Sequence, residues 1–155
     1  MSTSLNELIE KVRKDPELAS TIDINALLAT ANSEEFQHQS LSEITDTIFE
    51  KVGALGLSPD NMIEICGKLA GYKYIDELHE LQKGRHIRWI RQAQGSLTNG
   101  GIVVDIKFLD NGTHVLCMNS QRRFIQYKFD DCLTFQKLTT EEQICLLAKR
   151  SSDSP

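Results

Sequence analysis

The sequence predicts an α+β protein in which a small N-terminal helical region precedes a five-stranded SH3-like (Tudor-like) β-barrel and a short C-terminal helix. Three observations carry this. Helix-start chemistry recurs through the first half, period-two alternation with tight-turn residues fills positions 86–138, and charge divides between the halves. Residues 1–78 hold 6 Lys and Arg against 14 Asp and Glu, whereas residues 79–155 hold 11 against 8. The expected organisation is an acidic helical region at 1–78, a barrel with its closing helix at 79–150 and a flexible tail at 151–155. An OB-like barrel is the alternative; its strands are usually longer, and here the closing helix follows the strands instead of interrupting them.

Helix starts come first. Ser4-Leu5-Asn6-Glu7 has the spacing of a capping box, in which the serine hydroxyl accepts from the third helical amide and the glutamate reaches back to the capping residue. Leu5, Leu8, Ile9 and Val12 then share one face of a helix that should stop near Asp15-Pro16, because a residue before proline is pushed out of helical geometry. Asp23 can cap a second short helix through about Thr30, with Ile24, Leu27 and Leu28 as its apolar stripe. Ser40-Leu41-Ser42-Glu43 repeats the capping box and opens a longer helix, with Leu41, Ile44, Ile48, Val52 and Leu55 on one face and Gly56 as its stop. Ser58-Pro59-Asp60 starts another: a capping serine, a proline where its missing N–H costs nothing, and a carboxylate at the positive helix end. Met62, Ile63, Ile65, Cys66 and Leu69 give that helix an apolar face up to Gly71. The two have the outline of a helix-turn-helix, but the second carries Lys68 against Asp60 and Glu64, the wrong balance for facing phosphate. Residues 72–81 read as a transition with room for one more short helix through Ile75, Leu78 and Leu81.

From Gly84 the period changes. Residues 86–90, 102–109, 113–118, 123–129 and 132–138 read as five strands. In the second, Ile102, Val104, Ile106 and Phe108 alternate with Asp105 and Lys107, which predicts that the even-numbered positions face the core. Asp110-Asn111-Gly112 predicts a tight hairpin, Asn-Gly supplying positive φ at its centre. Residues 119–122 and Asp130-Asp131 make further turns, and Thr140-Glu141-Glu142-Gln143 caps a closing helix containing Ile144, Leu146, Leu147 and Ala148.

At 40% apolar and 25% charged, the composition is that of an ordinary globular protein. No run approaches the ~20 apolar residues of a membrane span. Residues 1–10 carry Asn6, Glu7 and Glu10 where a signal peptide would be apolar, so the expectation is an intracellular, cytoplasmic protein that does not engage a membrane. Cys66, Cys117, Cys132 and Cys145 are scattered beside apolar residues and read as reduced core thiols. With no C-x-x-C and no H-x-x-x-H, neither a metal nor a cofactor is expected. The chain has no phosphate-cradling glycine loop, no G-x-S-x-G and no H-E-x-x-H, and Asp130-Asp131 reads as a turn former. The expectation is a protein that is not an enzyme.

Lys83, Arg85, Arg88 and Arg91 form a basic run interrupted by His86, Ile87, Trp89 and Ile90, and Arg122 and Arg123 join it later. In a nucleic-acid interface the cations would meet phosphates while Trp89 or Tyr127 stacks on a base, at about 1–3 kcal/mol per base. The ordinary explanation puts Trp89 and Ile87 inside the barrel and Arg88 outside it, with the cations paired to the acidic helices; overall acidity favours that explanation. Trp89, Tyr127, Phe129 and Phe135 are also the rings from which an aromatic cage for methylated lysine could be built. The candidate binding residues are therefore Lys83, Arg85, Arg88, Trp89, Arg91, Arg122, Arg123 and Tyr127.

The arrangement Leu81-x-x-Gly84-x-x-Ile87-Arg88-Trp89-Ile90, then Gly100-Gly101-Ile102, Phe124-x-x-Tyr127 and Phe135-x-Lys137, resembles small uncharacterised barrel-type proteins of large double-stranded DNA viruses of eukaryotes, over residues 78–138. The resemblance implies no activity; it implies a structural or accessory component of a virion or virus factory. The expected function is a protein-interaction or assembly module that works through loop 92–99 and the basic strand at 84–91, with another protein, or a second copy of the chain, as its partner. Nucleic-acid binding through the basic strand and the neighbouring arginines is the alternative.

Overall fold

The computed structural model describes residues 24–31 and 40–153. In chain order the elements are α1 (Ile24–Ala31), α2 (Leu41–Gly53), α3 (Pro59–Lys68), β1 (Tyr72–Ile75), β2 (His86–Arg91), β3 (Gly101–Leu109), β4 (Gly112–Met118), β5 (Phe124–Lys128), β6 (Cys132–Lys137) and α4 (Thr140–Asp153). Short 3-10 turns occupy Leu78–Glu80 and Phe129–Asp131. The chain divides into two compact units, residues 1–44 with 138–155, and residues 45–137. This grouping differs from a boundary at residue 78: α3 and most of α2 belong with the strands, and the closing helix belongs with the N-terminal residues.

In the first unit α1 packs against α4. Thr139 caps α4: its Oγ1 accepts the Glu142 N–H at 3.0 Å, and Glu142 Oε1 accepts the Thr139 N–H at 2.9 Å. This capping box sits one residue before the one expected at Thr140, because Glu142 rather than Gln143 supplies the returning acceptor. The helix runs on to Asp153, through the start of the stretch expected to be a tail. Ser40 starts α2 as expected, its Oγ accepting the Glu43 N–H at 3.2 Å. The helix expected at residues 4–15, the capping role of Asp23 and the side chain of Leu27 lie outside the described residues.

The second unit is built on one six-stranded antiparallel sheet in the order β1-β6-β2-β3-β4-β5. The five strands expected from alternation are all present; the sixth, β1, lies where a transition or short helix was expected. Its Tyr72-Lys73-Tyr74-Ile75 pairs along its whole length with β6, from Tyr72 opposite Lys137 to Ile75 opposite Thr134. A four-residue stretch takes its conformation from such a partner more than from local preference. The ladder is open, with β1 and β5 at its edges, rather than the closed five-stranded barrel the sequence suggests.

One face of the sheet holds a cluster of Ile87, Trp89, Val103, Val115, Cys117, Tyr127 and Cys132, completed by Ile75 and Leu81. Trp89 and Tyr127 stack at 4.2 Å between centroids and 14° between planes, and Tyr127 Oη lies 2.8 Å from Thr134 Oγ1. The opposite face of β2 and β6 is also buried, through Ile90, Leu133 and Phe135. Gln136, buried on β6, accepts the Gln82 N–H at 2.9 Å and donates to the Glu80 carbonyl at 3.3 Å, which fastens the segment after β1 to the sheet.

Ser58 caps α3, its Oγ accepting the Asn61 N–H at 3.3 Å, with Pro59 at the first helical position. Lys51 on α2 lies 5.2 Å from the Tyr74 ring centre. Two glycines are required by geometry. Gly100 has φ +78°, and a Cβ there would lie 1.9 Å from the Ile87 carbonyl oxygen. In the β3–β4 hairpin the positive φ, +125°, falls on Gly112, the first residue of the returning strand, and not on Asn111 at the turn's centre.

Candidate interaction face

Strand β3 decides what the outer side of the sheet displays. Val103 pairs with Cys117 and Asp105 with Leu116, so Val104 is an extra residue and β3 is bulged. Before the bulge the odd position, Val103, faces the core; after it the even position, Ile106, packs against the core. Even-numbered burial is therefore corrected at Ile102, which is 47% exposed; Phe108 keeps the core-facing register past the bulge but is 76% exposed, because the β3–β4 hairpin runs on beyond the core cluster. Ile102 stands opposite Met118, and Met118 opposite Phe124, which is 63% exposed at the start of β5. These three side chains, with Val104 and Leu116 beside them, make an apolar row across three strands on the side away from the core.

The row ends in positive charge. The turn before β5 is closed by Asn119, whose Oδ1 accepts the Gln121 and Arg123 N–H groups at 3.0 and 2.9 Å while its own N–H donates to the Arg123 carbonyl at 2.9 Å. That closure holds Arg122 at φ +60°, a left-handed conformation costly for a residue with a Cβ. Arg122 and Arg123 are exposed, and Lys128 stands at the other end of β5. Among the described residues no ion pair engages Arg122, Arg123 or Lys128. From Gly101 to Lys128 the chain carries Lys107, Arg122, Arg123 and Lys128 against Asp105 and Asp110, a positive balance in a chain of net charge −5. Asp105 is itself engaged: its Oδ1 accepts the Ile106 N–H at 2.9 Å and lies 3.4 Å from Lys83 Nζ, and these two contacts hold the carboxyl below its ordinary range.

No family model, curated protein or solved structure matches this chain.

The candidates named from sequence do not form one surface. Lys83 pairs with Asp105, and Arg85 donates to Gln82 Oε1 at 3.0 Å and to the Lys137 carbonyl at 2.6 Å, near the start of β2. Arg88 Nε donates to the Thr98 carbonyl at 2.9 Å and Arg91 is exposed at the other end of the strand. Arg122 and Arg123 precede β5, which β3 and β4 separate from β2. Trp89 and Tyr127 are 2% and 3% exposed and stacked on each other, so neither offers a ring face to a base. The aromatic cage is likewise absent from these rings, because Phe135 and Trp89 occupy opposite sides of the sheet. Phe124 is the exposed ring on this face of β5, and sequence reasoning missed it as a site. The available signal was Ile102-Val103-Val104, three apolar residues in succession where alternation should have placed a polar one.

Loop 92–99 folds back along β2. Thr98 pins it: the Trp89 N–H donates to Thr98 Oγ1 at 3.2 Å, and the Thr98 hydroxyl and N–H both donate to the Trp89 carbonyl at 3.0 Å. Two cavities border it. One, of about 490 Å³, lies against Ser96–Gly100 and Asn119–Gln121 with Trp89 and Ile125 in its wall. The other, of about 510 Å³, sets Arg91, His114 and Lys128 beside Asp130 and Asp131. Trp89 Nε1 is buried and makes no hydrogen bond among the described residues.

On the far edge, Tyr72 Oη lies 2.9 Å from His86 Nδ1. Burial pushes the His86 imidazole below its usual range, assisted by Lys137 and Arg88, and burial pushes Tyr72 up. Cys117, Cys132 and Cys145 are buried, while Cys66 is only half-buried, a departure from four core thiols. Burial raises the Cys117 thiol to about 12. Among the described residues no group of three or more His, Cys, Asp and Glu side chains could hold a metal, and no helix is long and apolar enough to cross a membrane.

Proposed function

We propose that this protein is a non-enzymatic interaction module whose working surface is the outer side of β3, β4 and β5. The observation that carries the reading is the row of exposed Ile102, half-buried Met118 and exposed Phe124 with Arg122 and Arg123 at its end. Contiguous apolar residues on a solvent-facing sheet cost solubility, and a basic rim around them is the pattern of a protein contact. The core unit is read as SH3-like: β2 to β5 form a meander, and β6 returns through a 3-10 turn to pair with β2. Loop-bearing small sheets of this kind commonly serve recognition. In the setting that the viral resemblance implies, the module would join components of an assembling particle or factory.

The test is quantitative affinity purification from the native host with the full chain and with an Ile102→Ser/Phe124→Ser variant, after equal thermal stability of the two has been established. Protein partners enriched by the wild type and lost with the variant are expected. The same partners from both chains, or nucleic acid alone with a steep loss of binding on adding salt, would overturn the reading.

A further inference from the structure

The two edges of the sheet are not alike. At β1 every residue is at least partly buried, Tyr72 is engaged by His86, and Lys51 covers Tyr74. At β5 the outward side of the strand meets no further strand among the described residues, and Phe124 and Gln126 are exposed. Native sheets usually blunt a free edge with proline, a bulge, an inward charge or a cover, since unpaired N–H and C=O groups template another strand. Strand β5 has no proline, bulge or inward charge within Phe124–Lys128; it is 5 residues long and its one charged residue, Lys128, closes it, bordering a cavity with residues 91–94, while the Phe124 end carries no such guard.

We propose that β5 receives an extended segment of a partner protein in which acidic and apolar residues alternate, added as a seventh strand. The proposal rests on the reading of this face as a protein-interaction surface and specifies its mode. An added strand has its own side chains alternating across the sheet, so one apolar residue beside Phe124 would continue the Ile102–Met118–Phe124 row. Acidic residues on the same strand would meet Arg122 and Arg123, which no ion pair engages among the described residues, at the end of β5 away from Asp130 and Asp131. A second copy of this chain added in parallel would set Arg122 and Arg123 beside their own counterparts, cation against cation.

The test uses the full chain and a fluorescein-labelled (Glu-Val)4 peptide read by anisotropy, with (Lys-Val)4 and an alternately N-methylated (Glu-Val)4 as comparisons. Saturable binding of (Glu-Val)4 is expected, at least tenfold weaker for the N-methylated peptide, for (Lys-Val)4, and for an Arg122→Glu/Arg123→Glu chain of unchanged melting temperature. Equal binding of the N-methylated peptide would overturn strand addition, since side-chain attraction without backbone pairing would then suffice. No binding of (Glu-Val)4, while the Ile102→Ser/Phe124→Ser chain still loses its partners, would overturn the proposal and leave the interaction face standing. A dimer in analytical ultracentrifugation that dissociates on Phe124→Ser would assign the edge to a second copy, and tighter binding of dT20 than of (Glu-Val)4 through the same arginines would assign it to nucleic acid; either overturns the proposal.

Discussion

Replacing Gly100 by alanine tests how closely β2 and β3 approach where the loop re-enters the sheet. Two costs add. The residue sits at φ +78°, where a Cβ costs about 1–2 kcal/mol. The new carbon would also lie 1.9 Å from the Ile87 carbonyl oxygen, 2.9 Å from its carbon and 3.1 Å from Arg88 Cα, all backbone atoms that cannot swing aside. Relief requires the strands to part at the Ile87–Gly101 and His86–Ile102 pairs, an overpacking cost of roughly 1–3 kcal/mol. The expected loss is roughly 2–5 kcal/mol, a large share of the 5–15 kcal/mol typical of a small domain. Gly84→Ala is the matched comparison, because Gly84 has φ +86° with nothing within 4 Å of its Cβ position. Urea unfolding followed by the fluorescence of Trp89, the chain's one tryptophan, gives both values. Equal losses for the two variants at equal m-values would refute the close approach.

Tyr127→Phe removes the partner of Thr134 Oγ1 in a buried setting while leaving the ring on Trp89; about 1–3 kcal/mol should be lost in urea unfolding, with little change in native tryptophan emission, and no loss would mean that the Tyr127–Thr134 contact contributes nothing. A polar thiol reagent should label Cys66 first, with Cys117, Cys132 and Cys145 reacting only at the rate of unfolding, and mass spectrometry of partly labelled protein reads the order. Stability should fall as the pH drops from about 7 toward 5. His86 has a depressed folded-state value, so the unfolded chain binds its proton first, and the stability present above the ordinary histidine range is lost as pH falls through the folded value. His86→Gln should flatten that part of the profile in denaturant titrations; an unchanged slope would place the titration elsewhere.

What was legible in the sequence was local. The Ser40 and Ser58 caps depend on residues within a few positions of one another and formed where their chemistry placed them; the Asp110-Asn111-Gly112 hairpin also formed, but with its positive φ one residue past the turn's centre. The five alternating strands carry their own period. Strand β1 was not legible, because the four residues after Gly71 become a strand only by pairing with β6, some 60 residues later in the chain. The exposed face was misread for a different reason: alternation assumes one residue per step, and the bulge at Val104 breaks that count midway through β3. The candidate cations do form a run in the sequence, but a run along β2 alternates sides, and Arg122 and Arg123 lie at β5, with two strands between it and β2. Trp89 and Tyr127 illustrate a general ambiguity, since residue type alone does not separate a ring that stacks on a ligand from one that stacks on another ring.

The bulge has a consequence for how this surface can change over generations. Val103 keeps Cys117 as its partner on one side, and Asp105 keeps Leu116 on the other, so the flanking registers do not depend on the residue between them. Loss of the codon for Val104 would shorten the strand by one step and remove one apolar side chain from the outer surface without reversing any other. Loss of that one residue is thus a route by which a lineage could reshape the outer surface of the sheet without a single substitution in the core.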